Sequence, residues 1–320
     1  MHARLALAIW PVGSVRGAPY PCGQTRGVTS MTTLSQFSDA MRALVDKTAQ
    51  RVVAINPGTR NAASGILWRA GLIVTAEEAL GDDERFELTM PDGMAVAATL
   101  AGRDPSTDIA LLRVEGDAGA PLELLKSASA VKAGHLAIAV GRGTNGEIAA
   151  SGIVQECGES WRSWAGGLID RRILLDLALG RRSHGGAVVD AAGDLIGLAA
   201  FAPRHRALVI PAATVDRIAE QLAAKGSIAR GYLGVGLHPL RRKRGEGAVV
   251  VSLDEDGPAK RAGIFVGDTL TAWNGAPIHG VHDVFRKLGP DTVGSTVTLD
   301  VTRANQQTRV EVVVGERPHR

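Results

Sequence analysis

The sequence predicts a mostly β protein, in which a sandwich or barrel of many short strands is followed by a second, smaller β-rich unit. Three observations carry this. Between Arg51 and Pro211 the chain breaks into short β-branched or alternating apolar runs separated by Gly, Asp-Gly and Asn-Gly, the pattern of short strands joined by tight turns. A helical repeat then closes that region, with Val215, Ile218, Ala219 and Leu222 at i, i+3, i+4 and i+7. Beyond it, Val297, Leu299 and Val301, and later Val310, Val312 and Val314, alternate as half-buried strands do.

Taken in order, Leu34, Phe37, Met41, Leu44 and Val45 share one face at helical spacing, which predicts an amphipathic helix over 33–47. Strands follow at Ile66–Trp68, Phe86–Met90, Ile109–Val114, Leu136–Val140 and Leu195–Ala199. The helix carrying Val215 to Leu222 ends at Lys225-Gly226, a basic last turn followed by a glycine. Ser227 to Arg230 reads as a linker, and Ala248–Leu253 as a strand of the second unit.

Composition excludes several function classes. The 320 residues are 45% hydrophobic, enough for two or three compact units with their own cores. Thirty-six basic residues against 33 acidic ones leave a formal charge of +3, so no nucleic-acid partner is expected. The dense basic run Arg241-Arg242-Lys243-Arg244, with Gly245 and Gly247 beside it, reads as a solvated loop tip. Cys22 and Cys157 make no disulfide framework and no Cys/His spacing resembles a structural zinc site; no cofactor is expected. No stretch approaches the ~20 apolar residues that span a bilayer, so the chain is not expected to be integral to a membrane. Residues 1–30 read as a disordered or mis-assigned extension with Met31 as the working start, because the apolar run Leu5 to Trp10 is short and broken at Pro11 and Gly13. A cytoplasmic location is expected on that ground, with export as the alternative.

Two groups of motifs resemble a known family. Gly102-Arg103-Asp104-Pro105-Ser106-Thr107-Asp108-Ile109-Ala110-Leu111-Leu112 is similar to the Gly-Arg-Asp-Pro-x-Thr-Asp-Leu-Ala-Leu-Leu strand of HtrA/Deg-type serine proteases. Ser64-Gly65-Ile66, Val131-Lys132-Ala133-Gly134, Ala150-Ser151-Gly152-Ile153-Val154 and Asp190 to Gly197 fit the same order and spacing. From Gly231, the run Gly231-Tyr232-Leu233-Gly234-Val235-Gly236 resembles a PDZ carboxylate-binding loop. It is followed by Asp256-Gly257-Pro258-Ala259-Lys260-Arg261-Ala262-Gly263-Ile264, Val266-Gly267-Asp268-Thr269-Leu270 and Trp273-Asn274-Gly275, which resemble further PDZ segments. The resemblance implies a chymotrypsin-like double antiparallel β-barrel followed by one α+β PDZ domain. Its implied boundaries are 31–226 for the protease domain, 227–230 for the linker and 231–317 for the PDZ domain. It also implies a homotrimer, and binding of peptide or protein C-termini through Tyr232, Leu233, Gly234, Val235, His282 and Phe285. Glycine suits such a loop because successive backbone N–H groups must converge on a carboxylate.

The protease resemblance breaks at the residues that carry the chemistry. Val74-Thr75-Ala76-Glu77-Glu78-Ala79-Leu80 matches the family's Leu-Thr-Asn-Asn-His-Val-Val segment but puts Glu78 at the catalytic histidine. Arg182-Ser183-His184-Gly185-Gly186-Ala187 stands where the family carries Gly-Asn-Ser-Gly-Gly-Pro, so His184 occupies the nucleophile position and Arg182 that of an oxyanion-hole glycine. Asp108 alone of the triad survives. Serine hydrolysis needs a hydroxyl, a base within reach and donors aimed at the developing oxyanion, and losing nucleophile or base costs on the order of a millionfold in turnover. A pseudoprotease that binds C-termini or unfolded segments, and modulates active paralogues, is therefore expected. The alternatives are an active serine endopeptidase or a metal-dependent hydrolase using Glu78, Asp108 and His184 as one imidazole and two carboxylates. Against these, an ion cluster of the same three side chains, with no metal, fills the vacated site. Ser183 is expected to miss the reacting geometry, because neighbouring side chains leave the backbone in different directions. His135, His205, Trp161 and Trp164 are expected to serve packing or surface roles.

Overall fold

The computed structural model describes residues 29–56, 59, 62–115, 131–163, 165–202, 206–240 and 246–318. The expectations for residues 1–28, including Cys22, and for Trp164, His205 and the basic run Arg241–Arg244 lie outside these. Helix α1 (Thr29–Ala49) is longer than the predicted 33–47 at both ends, and buries Val45, Thr48 and Ala49 in its last turns.

Six strands form the first closed antiparallel barrel: β1 (Val52–Ile55), β2 (Ala63–Arg69), β3 (Leu72–Thr75), β4 (Arg85–Thr89), β5 (Ala95–Asp104) and β6 (Ile109–Val114). They join in the order β1-β2-β3-β6-β5-β4. Its interior holds Val53, Ile55, Ile73, Phe86, Leu88 and Leu112. A second barrel follows from β7 (Leu136–Gly143), β8 (Gly146–Cys157), β11 (Ile173–Ala178), β12 (Ala187–Val189), β13 (Leu195–Ala202) and β14 (Arg206–Pro211), in the order β11-β14-β13-β12-β7-β8. A short hairpin of β9 (Trp161–Arg162) and β10 (Leu168–Ile169) projects between β8 and β11. This is the double barrel that the motif resemblance implies.

Helix α2 (Ala212–Lys225) ends at Gly226 in the left-handed region, as the Lys-Gly signal predicts. It packs on β5 and β6 of one barrel and on β13 and β14 of the other. That explains why Ile109 to Leu112 are buried in succession instead of alternating. One face of β6 looks into the barrel and the other lies under a helix.

Two polar groups lock the barrels together. The buried Ser64 hydroxyl accepts the Arg142 N–H at 2.9 Å and donates to the Arg182 carbonyl at 2.5 Å. The buried Arg142 guanidinium donates to the carbonyls of Val52 and Ala49, each at 2.7 Å.

The second unit is a sheet in the order β16 (Val235–Pro239), β17 (Ala248–Leu253), β18 (Thr269–Trp273), β20 (Thr296–Arg303), β21 (Gln306–Val313), with β19 (Ala276–Pro277) on β18. The pair β15 (Gly231–Tyr232) and β22 (Gly315–Glu316) ties its ends, and α3 (Pro258–Arg261) and α4 (Val281–Lys287) complete the unit. Leu233, Val250, Leu270, Trp273, Leu299 and Val312 lie in its core. Asp268 is buried against Arg303, whose guanidinium reaches both carboxylate oxygens at 2.9 and 2.8 Å and also the Gly263 carbonyl. The arginine hydrogen bond is the main reason the Asp268 carboxyl titrates below its ordinary value.

Two stability predictions follow from these contacts. Ser64→Ala leaves the Arg142 N–H and the Arg182 carbonyl without their partner, and urea denaturation should show a loss of about 1–3 kcal/mol. Asp268→Asn should destabilise the second unit by a similar ~1–3 kcal/mol. Because the folded pKa of Asp268 lies below the unfolded value of ~3.9, its contribution is fully present above about pH 4 and is lost as the pH falls through the lowered folded value. As the pH falls through that lowered value the wild type should therefore lose more stability than Asp268→Asn, which has no carboxyl there to protonate, and the gap between their urea-denaturation free energies should narrow.

Candidate functional site

Glu78, Asp108 and His184, the positions that the motif resemblance aligns with a catalytic triad, meet at the seam between the barrels. Glu78 sits in a 3-10 turn over Glu77–Ala79, directly after β3. Asp108 ends the turn that joins β5 to β6, at φ 57, a left-handed conformation that Asp tolerates better than most residues. Its Oδ1 accepts the Glu78 N–H at 2.8 Å, so turn and turn hold each other. His184 comes from the other barrel, in the loop before β12. It is 3% exposed, its ring centroid lies 4.4 Å from that of Phe201, and its Nε2 is 3.3 Å from Asp108 Oδ2. One ligand atom from each of Glu78, Asp108 and His184 lies within 4.8 Å of the others. Beside them is a cavity of about 140 Å³ lined by Ala62, Glu78, Ala79, Gly81, Arg181, His184 and Phe201.

Glu77, the neighbour of Glu78, is ion-paired to Arg103 at 3.3 Å. Burial nonetheless raises its carboxyl pKa above the ordinary value, and the nearby Asp108 charge adds to that, while Arg103 opposes it.

The loop carrying His184 begins as a 3-10 turn over Arg181–Ser183. Within it the His184 N–H donates to the Arg181 carbonyl at 3.1 Å and the Ser183 N–H to the Gly180 carbonyl at 2.9 Å. Arg182 is not at positive φ. Gly185 is, at φ +81, and a Cβ there would come within 2.3 Å of the Ser64 carbonyl oxygen. Its N–H donates to Ala199 at 2.8 Å, and the Ser64 N–H donates to the His184 carbonyl at 2.9 Å. Ser183 is buried with its hydroxyl beside Gly141 of β7, and it does not line the cavity.

A second concavity, about 240 Å³, lies at the start of the second unit. Tyr232, Leu233, Gly234, Val235 and Phe285 all line it, together with Arg230, Leu237, Leu288 and Arg317. The N–H groups of Leu233 and Gly234 have no acceptor among the described residues, while the two carbonyls accept from Ala259 and Asp254. Gly234 has φ +70, and a Cβ there would lie 2.7 Å from the Gly257 Cα, so the tight loop requires glycine. The Tyr232 hydroxyl hydrogen-bonds Asp254. Val284, Phe285 and Leu288 are the α4 residues that line the concavity, and His282 stands one turn before Phe285 on the same helix. Arg230 and Arg317 escaped sequence reasoning. Arg230 carried one cue, its place directly before the glycine loop, but Arg317 lies far along the chain and reaches the site only because β22 pairs with β15. Arg230 is largely buried, which lowers its pKa, with Asp104 at 3.9 Å opposing that shift.

The β9–β10 hairpin touches both sites' surroundings. Ser163 donates to the Ser106 carbonyl at 2.5 Å in the β5–β6 turn, and Arg230 donates to the Ala165 carbonyl at 2.6 Å. Trp161 is half-buried with the Arg172 guanidinium 5.7 Å from its ring centroid, a packing role as expected.

Comparison with known proteins agrees with both units. Residues 63–198 match the trypsin-like peptidase domain family and residues 231–314 the PDZ domain family. A probable periplasmic serine endoprotease, DegP-like, of Brucella suis biovar 1 is 31% identical over 266 residues, covering 78% of this chain and 51% of that protein. Serine endoprotease DegS of Escherichia coli is 26% identical over 278 residues, covering 81% and 78%. The chain thus spans about half the length of the DegP-like relatives it matches. The crystal structure of the serine endoprotease from Yersinia pestis shares the fold with a TM-score of 0.66 at 25% identity, covering 87% of this chain and 98% of that one. HtrA-type protease AlgW with decapeptide does so with a TM-score of 0.65 at 22% identity, covering 87% and 98%.

These relatives overturn one expectation. The cytoplasmic location rested on the short, broken apolar run near residue 10, and the DegP-like relatives are named as periplasmic. Compartment is not encoded in the barrel framework, which is why the motif reading could not supply it. No helix among the described residues is long and apolar enough to cross a membrane. With a trypsin-like double barrel, a single matched PDZ domain and this set of relatives, the chain belongs to the HtrA-type proteases of the trypsin-like fold.

Proposed function

We propose that this chain is a non-catalytic HtrA-type protein that captures peptide or protein C-termini through its PDZ domain. The observation that carries the non-catalytic half is the bond from the His184 N–H to the Arg181 carbonyl. In a working serine protease the N–H at the nucleophile position helps receive the oxyanion. Here it is already spent, and Arg182 adopts a right-handed turn where a hole-forming glycine would be needed. His184 offers no hydroxyl, Ser183 is buried away from the cavity, and Glu78 occupies the base position. An active serine endopeptidase draws support only from the names of the relatives.

The binding half rests on the unspent N–H groups of Leu233 and Gly234 beside two arginines. They suit a terminal carboxylate, which backbone donors and positive potential together hold. Leu237, Phe285 and Leu288 give the adjoining apolar wall for the last side chain of the peptide. Edge strand β16, paired only to β17, offers its free side for strand addition. Location in the periplasm, assembly as a trimer and association with active paralogues are the corresponding proposals for its setting. Size-exclusion chromatography with light scattering checks the trimer.

Fluorescence anisotropy of a labelled peptide ending in an apolar residue should give a micromolar-scale Kd with the full chain, and amidating the peptide C-terminus should weaken binding by about tenfold or more. Equal affinity for the amide would remove the carboxylate role. In a parallel assay, neither the wild type nor His184→Ser should degrade an unfolded protein substrate, because a restored hydroxyl still lacks a base and an open oxyanion hole. Turnover by the wild type that is lost in His184→Ala would overturn the non-catalytic reading.

A further inference from the structure

We propose that Glu78, Asp108 and His184 form a binding site for one divalent transition-metal cation, of which Zn²⁺ is the probe, at the seam between the two barrels. The proposal does not depend on peptide binding by the PDZ domain. It starts from spacing. His184 Nε2 and Asp108 Oδ2 face each other at 3.3 Å, a contact that a proton bridges when no ion is bound. Two ligands on one zinc, each at about 2.0–2.2 Å, stand about 3.0–3.6 Å apart, which is the spacing these two atoms have. The third ligand atom, from Glu78, completes a group within 4.8 Å. The Glu78 side chain is exposed, so a rotation about its own bonds is enough to bring it in.

The surroundings of the first two ligands are those a metal site requires. Asp108 Oδ1 is held by the Glu78 N–H, which fixes the carboxylate and leaves Oδ2 for the ion. His184 is buried and held against Phe201, so its imidazole is oriented before any ion arrives. Three protein ligands leave further positions open, and the cavity of about 140 Å³ that Glu78 and His184 line gives them room for water or an added ligand. Two carboxylates balance the charge of a divalent cation, and one imidazole with two carboxylates favours the zinc, manganese and iron group over copper(I) or calcium. Glu78 and Asp108 belong to the first barrel and His184 to the second, so a bound ion cross-links the barrels.

The test uses the metal-free full chain. Titration with Co²⁺, read by its visible d–d absorption, and with Zn²⁺ by calorimetry should give one equivalent bound, with Zn²⁺ displacing Co²⁺. Zn²⁺ should raise the Tm by several degrees, since a ligand that binds only the folded chain stabilises it. His184→Ala should abolish binding. Because that variant opens a cavity in a buried position, Glu78→Gln is the decisive one: its metal-free melting curve should match the wild type while its Zn²⁺ affinity falls about tenfold or more. Peptide affinity should be unchanged in both variants, which keeps this test separate from the PDZ assignment. Absence of stoichiometric Zn²⁺ binding would overturn the proposal. So would binding that Glu78→Gln and His184→Ala leave intact but that is lost on replacing His279, whose exposed imidazole pairs with Glu246.

Discussion

The hydroxyl of Ser64 decides where the candidate site is. It accepts the Arg142 N–H from the second barrel and donates to the Arg182 carbonyl, while the Ser64 backbone N–H donates to the His184 carbonyl. One residue of β2 therefore fastens the 180–186 loop to the first barrel by two bonds, and β7 by a third. Within the first barrel Thr75 donates to the Ser64 carbonyl, and it stands directly before the turn that carries Glu78. Without this knot the imidazole of one barrel and the carboxylates of the other would have no shared frame.

The framework explains how such a site can change its chemistry without losing its shape. The bonds that set the loop run through backbone groups and through Ser64, and none requires the side chain at 78, 182 or 184. The demanding positions lie next door, at Gly185, where a Cβ would strike the Ser64 carbonyl, and at the packed wall of Gly141 and Ser183. The loop is thus held by Ser64 and Gly185, which fit the family motifs, while the residues at 78, 182 and 184 are those that depart from them. A hydroxyl, an imidazole base and an open amide pair can be exchanged for an imidazole and two carboxylates at little structural cost.

The PDZ unit is joined to this seam by more than a linker. Arg230 belongs to the rim of the PDZ concavity, donates to Ala165 of the β9–β10 hairpin and lies near buried Asp104. Asp104 in turn accepts from the N–H and hydroxyl of Ser106 and from Thr107, and so shapes the turn that delivers Asp108. The basic edge of the PDZ concavity and the acidic edge of the barrel site are consequently built from one continuous set of polar contacts.

Much of this was legible in the residues. Alternating valines foretold β20 and β21, the Lys-Gly pair foretold the end of α2, and the Gly-Arg-Asp-Pro and Tyr-Leu-Gly-Val runs identified both units and put Glu78, Asp108 and His184 at related positions. Such features are local: they follow from periodicity, from turn chemistry, or from short motifs whose residues are consecutive. What tertiary structure alone decided is of another kind. That His184 Nε2 and Asp108 Oδ2 stand 3.3 Å apart and that Arg317 lines the PDZ concavity each depends on how segments far apart in the chain pair. Such spacings are absent from any local run of residues, because only the packed barrels bring their partners together.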